Sequence, residues 1–193
     1  RILEVGTAVG FSALLMSECA PEGCRITTIE NYDKRIPIAR ENFRRAGREE
    51  QITLIEGDAA EVMKTLEGPY DFIFMDAAKG QYIHYLPEAL RLLPEGGVLV
   101  SDNVMQDGDV IESRFAVERR NRTIHARMRE YLYELKHNDA LVTSIIPLGD
   151  GVAMSVKRAS GPTDSVAADM NPAECGAAEE IKRQEGTENG KTS

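Results

Sequence analysis

Short apolar runs alternate with helix-like stretches along most of this chain, and that alternation leaves few architectures open. Strands are expected at residues 1–5, 25–30, 52–56, 70–76, 97–102, 141–148 and 152–157. Helices are expected over residues 10–19, 33–46, 59–66, 81–93 and 121–137. Strand–helix–strand repetition of this kind builds a largely parallel sheet with helices on its faces. The last two runs meet at Gly149-Asp150-Gly151, a tight-turn sequence that predicts an antiparallel hairpin. Six or seven strands ending this way imply an α/β fold: a doubly wound, mostly parallel sheet with an antiparallel edge.

Size and composition bound the rest. A chain of 193 residues suits one domain with a full core. From Ala159 onward large apolar side chains almost vanish, so residues 1–158 are expected to fold and 159–193 to form a disordered tail, with at most a short helix at 173–184. No run reaches membrane-spanning length, no signal peptide is visible, and Cys19, Cys24 and Cys175 lack metal or disulfide spacing. A cytoplasmic protein is expected. The chain opens on Arg1, without a methionine, directly in an apolar strand, and further sequence upstream is therefore expected.

The net charge of −9 argues against wholesale nucleic-acid binding. Its distribution is uneven, because Ser113 to Glu130 holds six arginines against two glutamates. These arginines spread around a helical wheel, which suits a solvated basic helix as well as a phosphate-contacting surface. Ile124, Met128, Leu132 and Leu135 have the spacing of a buried stripe. His84, His125 and His137 are scattered and form no ligand set.

The strand ends carry the chemistry. The fourth run leads into Asp76-Ala77-Ala78-Lys79 and the fifth into Asp102-Asn103. Ligands of open α/β sheets bind at the carboxyl ends of strands, so neighbouring strands here would gather Asp76, Asp102 and Asn103 beside a lysine. An all-oxygen set with an incomplete shell suits Mg2+, although aspartates at strand ends also cap helices. A lysine beside acids is ordinarily a charge partner, and base behaviour there requires desolvation or a nearby metal. Glu4-Val5-Gly6-Thr7-Ala8-Val9-Gly10 forms a glycine turn between strand and helix, a place where a backbone can approach a ligand or simply turn. It does not meet the dinucleotide pattern, which disfavours a nicotinamide dehydrogenase. Glu30 ends the second strand, where an acid accepts from ribose hydroxyls or caps a helix. Asp58 and Ala59 close the third, with a nucleobase contact and a helix N-cap as compatible roles.

Together, Glu4-x-Gly6-x-x-x-Gly10, Glu30, Gly57-Asp58-Ala59, Asp76-Ala-Ala-Lys79 and Asp102-Asn103 resemble the metal-dependent class I O-methyltransferases, the group of catechol and caffeoyl-CoA enzymes. The resemblance covers residues 1–158. Asp102-Asn103-Val104-x-Gln106-Asp107-Gly108 and Arg119-Arg120-Asn121-Arg122-Thr123-Ile124-His125 are similar to a bacterial branch that methylates 5-hydroxyuridine at the tRNA wobble position. The resemblance implies a Rossmann-like seven-stranded fold and S-adenosylmethionine (SAM) over the first strands. It implies that Glu30 holds the ribose, Asp58 and Ala59 the adenine, and Ser12 with the Glu4–Gly6 turn the methionine end. Asp76, Asp102 and Asn103 would bind Mg2+, with Asp76 also beside SAM and sharing a catalytic role with Lys79, which stands at the general-base position. Amino-terminal helices that close the SAM site and build a homodimer would lie upstream. Partners implied are the tRNA anticodon loop or a small molecule with vicinal oxygens. A catechol and a 5-hydroxyuracil both present such a pair, so the metal residues alone do not choose between them. A non-catalytic SAM- or RNA-binding fragment is the reading of another class.

Overall fold

The computed structural model describes residues 1–113 and 115–159. Residues 1–159 form one compact unit; Arg114, Cys175 and the expected tail with its short helix from residue 160 onward lie outside the described residues. The strands are β1 (Ile2–Val5), β2 (Ile26–Glu30), β3 (Ile52–Glu56), β4 (Phe72–Met75), β5 (Val98–Ser101), β6 (Leu141–Ile146) and β7 (Val152–Lys157). The helices are α1 (Phe11–Cys19), α2 (Ile36–Arg45), α3 (Ala59–Thr65), α4 (Tyr82–Leu92) and α5 (Arg122–His137). Two short 3-10 segments, Lys79–Gln81 and Gln106–Ile111, follow β4 and β5. No helix among the described residues is long and apolar enough to cross a membrane.

One sheet runs β3-β2-β1-β4-β5-β7-β6. The first five strands are parallel, and β7 and β6 pair antiparallel at one side, as the glycine turn predicts. This is the seven-stranded, doubly wound sheet that the resemblance implies. Strand order reverses at β1, which has β2 on one side and β4 on the other.

Two apolar clusters hold the layers. Ala13, Ile36, Ala39 and Phe43 of α1 and α2 pack with Ile26, Ile52 and Leu54 of the sheet. The larger cluster joins Leu3, Val5, Ile73, Met75 and Leu99 to α4 and α5. On α4 the buried residues Tyr82, Tyr85, Leu86, Ala89 and Leu92 fall at helical spacing. On α5 the buried face is His125, Met128, Tyr131 and Leu135. This corrects the expected stripe: Ile124 is 38% exposed and Leu132 is only partly buried. The helix turns by about one residue because Tyr131 finds an internal partner, its hydroxyl lying 2.5 Å from that of buried Ser101.

Candidate active site

The carboxyl ends of β1 to β4 open into a cavity of about 670 Å3. Its wall is built from Gly6 after β1, Glu30, Asn31 and Tyr32 after β2, Gly57 and Ala59 after β3, and Asp76, Ala77 and Ala78 after β4. Arg35 and Tyr85 complete it. The cavity therefore sits where the strand order reverses, the place where open α/β sheets bind their ligands.

Close backbone approach shapes that floor. Gly6 has φ +104°, and a Cβ there would lie 2.1 Å from the Asp76 carbonyl oxygen. The Asp76 N–H donates to Val5 O at 3.0 Å, so β1 and β4 remain joined past the sheet. Only glycine fits both constraints.

Glu30 is 7% exposed and held by backbone alone. Its Oε2 accepts from Ala8 N at 2.8 Å, and its Oε1 from Asn31 N at 3.1 Å and Tyr32 N at 2.9 Å. A carboxylate has about four lone-pair directions, so these three bonds fix the group and leave room for a further donor. Asp58 is the N-cap of α3, its Oδ1 accepting from Ala60 N at 2.9 Å. Ala59 is the first residue of that helix, whose leading N–H groups have no partner within the helix. The cavity thus offers a fixed carboxylate, the start of α3 at Ala59 and two tyrosines beside apolar surface, a lining suited to a nucleoside-containing ligand.

Glu4 and Ser12 stand behind this wall. Glu4 is completely buried, and its two carboxylate oxygens accept from the hydroxyls of Ser12 and Thr28. Burial pushes its carboxyl up to about 7, against the lowering effect of those two bonds and with Asp76 and Glu30 adding repulsion.

On the other side of Asp76 lies a second cavity of about 270 Å3, lined by Lys79, Asn103, Gln106, Asp109, Asn121 and Ile124. The β4–β5 register pairs Met75 with Ser101, and the Asp102 N–H donates to Met75 O at 3.0 Å. Asp76 and Asp102 consequently leave neighbouring strands at the same level. Asn103 follows in the left-handed conformation, φ +61°, which asparagine tolerates better than most residues. Lys79 Nζ donates to Asp76 Oδ1 at 2.9 Å, to the Tyr82 hydroxyl at 3.0 Å and to Asp102 O at 3.2 Å. The Tyr82 hydroxyl in turn lies 3.0 Å from Met75 O and 3.2 Å from Asp102 O. Burial first, then the Asp76 charge, holds that phenol protonated far above its ordinary range. Lys79 and Tyr82 therefore tie the two strand ends together.

Among the described residues no three His, Cys, Asp or Glu side chains gather as a metal set. A metal here needs the Asn103 amide together with Asp76 and Asp102. Those donors are all hard oxygens, as Mg2+ requires, and Asp76 already holds one cation, the Lys79 ammonium.

The structure brings Gly6, Glu30, Ala59 and Asp76 into one wall and Lys79 and Asn103 into the next. Asp58 caps a helix beside the first cavity, and Asp102 contributes its carbonyl between the two. Asn31, Tyr32, Arg35, Tyr85 and Asp109 carry no expectation from the sequence, and Gln106 and Asn121 stand there only within the resembling motifs, with no role of their own. Tyr85 had a signal, lying three residues after Tyr82 on the inner face of α4; the loop residues had none.

The basic segment divides. Arg122 Nε donates to Val117 O, Arg127 Nη1 to Gly80 O, and Arg129 Nη1 to Val110 O. Arg120 pairs with Glu118 at the surface, at 2.7 Å. Arg119 is exposed.

Comparison with known proteins agrees with this geometry. An O-methyltransferase family model matches residues 1–158. A catechol O-methyltransferase of Niastella koreensis is 38% identical over 116 residues, 58% of this chain and 52% of the relative. Caffeoyl-CoA O-methyltransferase 2 of Populus trichocarpa is 30% identical over 168 residues, 79% of this chain and 64% of the relative. A solved SAH-bound methyltransferase of Podospora anserina superposes with a TM-score of 0.75 at 31% identity, covering 82% of this chain and 72% of that one. The chain spans about half the length of the first of these relatives and less than two thirds of the second. The family match runs from β1 through β7 and takes in both strand-end cavities, and the chain belongs to the O-methyltransferase family.

Proposed function

We propose that this chain is the catalytic portion of a SAM- and divalent-metal-dependent O-methyltransferase whose acceptor presents two vicinal oxygens. The observation that carries the reading is two cavities joined at an ion pair, Asp76 lining the first and Lys79, 2.9 Å from it, lining the second. Methyl transfer is an in-line displacement, and donor and acceptor held in adjoining cavities that open onto each other gain most from positioning.

Glu30, Ala59 and the Gly6 turn orient the donor on one side. Asp76, Asp102 and Asn103 would hold the metal on the other, where it lowers the acceptor hydroxyl pKa and supplies positive charge. Lys79 as placed is a donor to three oxygens, so it neutralises and orients. Accepting the acceptor's proton requires it first to leave one of those oxygens and pass a proton to solvent.

The acceptor we propose is 5-hydroxyuridine at the tRNA wobble position, yielding 5-methoxyuridine. It rests on the Arg119–His125 sequence resemblance and on Arg119 and Arg120 standing exposed just before Asn121 and Ile124 of the second cavity. The second reading is a catechol-like or caffeoyl-CoA-like small molecule. It is favoured by Arg122, Arg127 and Arg129 spending their donors on backbone carbonyls, and by the names of the relatives.

Purified protein supplied with methyl-labelled SAM and Mg2+ should label either tRNA lacking the modification or a catechol, and the labelled product decides between the readings. Asp102→Ala or excess EDTA should reduce transfer by about 100-fold or more while SAM still binds. Labelling of neither acceptor, or full transfer in EDTA, overturns the proposal.

A further inference from the structure

Two α5 arginines, half-buried Arg127 and exposed Arg129, reach backbone carbonyls in two particular places. Arg127 Nη1 donates to Gly80 O at 3.1 Å, the carbonyl next to Lys79 in the first 3-10 segment. Arg129 Nη1 lies 3.2 Å from Val110 O and 3.5 Å from Glu112 O, at the end of the second segment. Buried His125 places Nε2 3.3 Å from the same Glu112 carbonyl. His125 and Arg129 are one helical turn apart and share a face, while Ile124 and Arg127 lie on the adjoining face. Each face of α5 therefore grips a different segment.

The second segment gains most from its partner: the closing carbonyls of Gln106–Ile111 lie past its internal hydrogen bonds, and a cation there meets the negative end of its local dipoles, whereas Lys79–Gln81 leads directly into α4. The first segment lies directly against α5: a Cβ built on Gly80 would make ordinary contacts of 3.7 Å with Arg127 Nη1 and 3.8 Å with Ile124 Cγ1.

The gripped segments are also the ones that build the second cavity. Lys79 comes from the first, Gln106 and Asp109 from the second, and Asn121 and Ile124 from the entry to α5 itself. No hydrogen bond from these α5 side chains reaches a residue of the first cavity's wall.

We propose that Arg127 and Arg129 are positioning residues that set the width of the acceptor cavity by fixing the Lys79–Gln81 and Gln106–Ile111 segments from one rigid helix. This rests on the proposed methyl-transfer function for its catalytic consequence, whereas the mechanical part stands on the hydrogen bonds alone. The arginines act through directed N–H bonds to carbonyls, and their charge toward an outside phosphate is secondary.

Arg127→Ala and Arg129→Ala separate these possibilities, with Arg122→Ala as a control that removes the same charge from the same helix. Amide hydrogen exchange should quicken around residues 79–82 in the first variant and 108–113 in the second. The control should change neither. In methyl-transfer assays the acceptor KM should rise about 10-fold or more, as small misplacements near reacting groups do, with the SAM dissociation constant within about twofold. Arg127→Lys keeps the charge and loses the planar fork, and should not restore the acceptor KM. Thermal melts identify any variant that loses the fold, and for such a variant Arg127→Lys or Arg129→Lys takes its place in the exchange measurement. Unchanged exchange in both segments overturns the inference. So does full rescue by lysine, or an unchanged acceptor KM in an enzyme that Asp102→Ala inactivates. If the parent protein transfers no methyl group, the function fails, and the exchange measurement still decides the positioning role.

Discussion

Glu4 of β1 is fully buried, with hydroxyl donors from Ser12 of α1 and Thr28 of β2. The folded carboxyl titrates at about 7, against an ordinary value of 4.5. The folded state therefore binds a proton more firmly than the unfolded chain across that window. Below the lower value both states are protonated and the group's contribution is complete. As pH rises through the window the unfolded chain ionises freely while the folded one resists, and stability falls, by about 3 kcal/mol if the whole shift is expressed. Glu4→Gln keeps the shape and removes the titration. Its Tm should change less than the parent's between about pH 5 and about pH 8, and parallel melting curves for the two proteins would refute this account. Ser12 loses a charged acceptor in the same variant, so any weakening of SAM binding should accompany the flatter profile. A glutamate with that behaviour is invisible as a letter in a glycine-turn motif, since burial is a property of the neighbours.

The β6–β7 hairpin shows what one element can expose. Val142 pairs with Val156 and Ser144 with Met154, and Val142, Met154 and Val156 are each at least 38% exposed. The β6 edge carries no charge from Leu141 to Leu148. Uncharged apolar edges recruit other strands. Val142→Lys should leave unfolding free energy within about 0.5 kcal/mol and reduce self-association measured by light scattering. A large stability loss would show that this face is covered in solution. Element positions were readable because strand and helix impose different apolar periods over many residues. The start of α2 moved from 33 to Ile36, since Tyr32 and Asp33 belong to a turn whose polarity resembles a helix cap. The two 3-10 segments escaped notice because three to six residues are too few to display a period. The arginines of α5 were legible as a basic cluster and illegible as clamps. Their acceptors are backbone carbonyls, and Gly80 lies 47 residues away from Arg127. Carbonyls carry no sequence signature, so no helical wheel reveals them.

Across the molecule, the sheet separates two apolar clusters, and the first cavity opens where helices from both sides approach the strand ends. A ligand seated there touches segments following four strands, so its binding energy should be transmitted to global unfolding. At one hundred times its dissociation constant SAM should stabilise the fold by about 2.7 kcal/mol, visible as a higher Tm in thermal shift measurements. An unchanged Tm at saturating SAM would contradict the donor assignment. The strand-end residues Gly6, Glu30 and Asp76 could be picked out in advance because parallel sheets concentrate their ligands at such ends. Of the second cavity only Lys79 and Asn103 could be placed in advance, because the rest of its lining comes from segments further from the strand ends. That difference in construction has a consequence for descent. A change in Gly6 or Glu30 disturbs backbone contacts shared by several strands, so mutation there should damage the fold and the first cavity together. Substitutions at Gln106, Asp109, Asn121 or Ile124 alter one compartment while leaving the other intact. A lineage built this way can inherit its methyl donor unchanged and diversify what it methylates by trading loops.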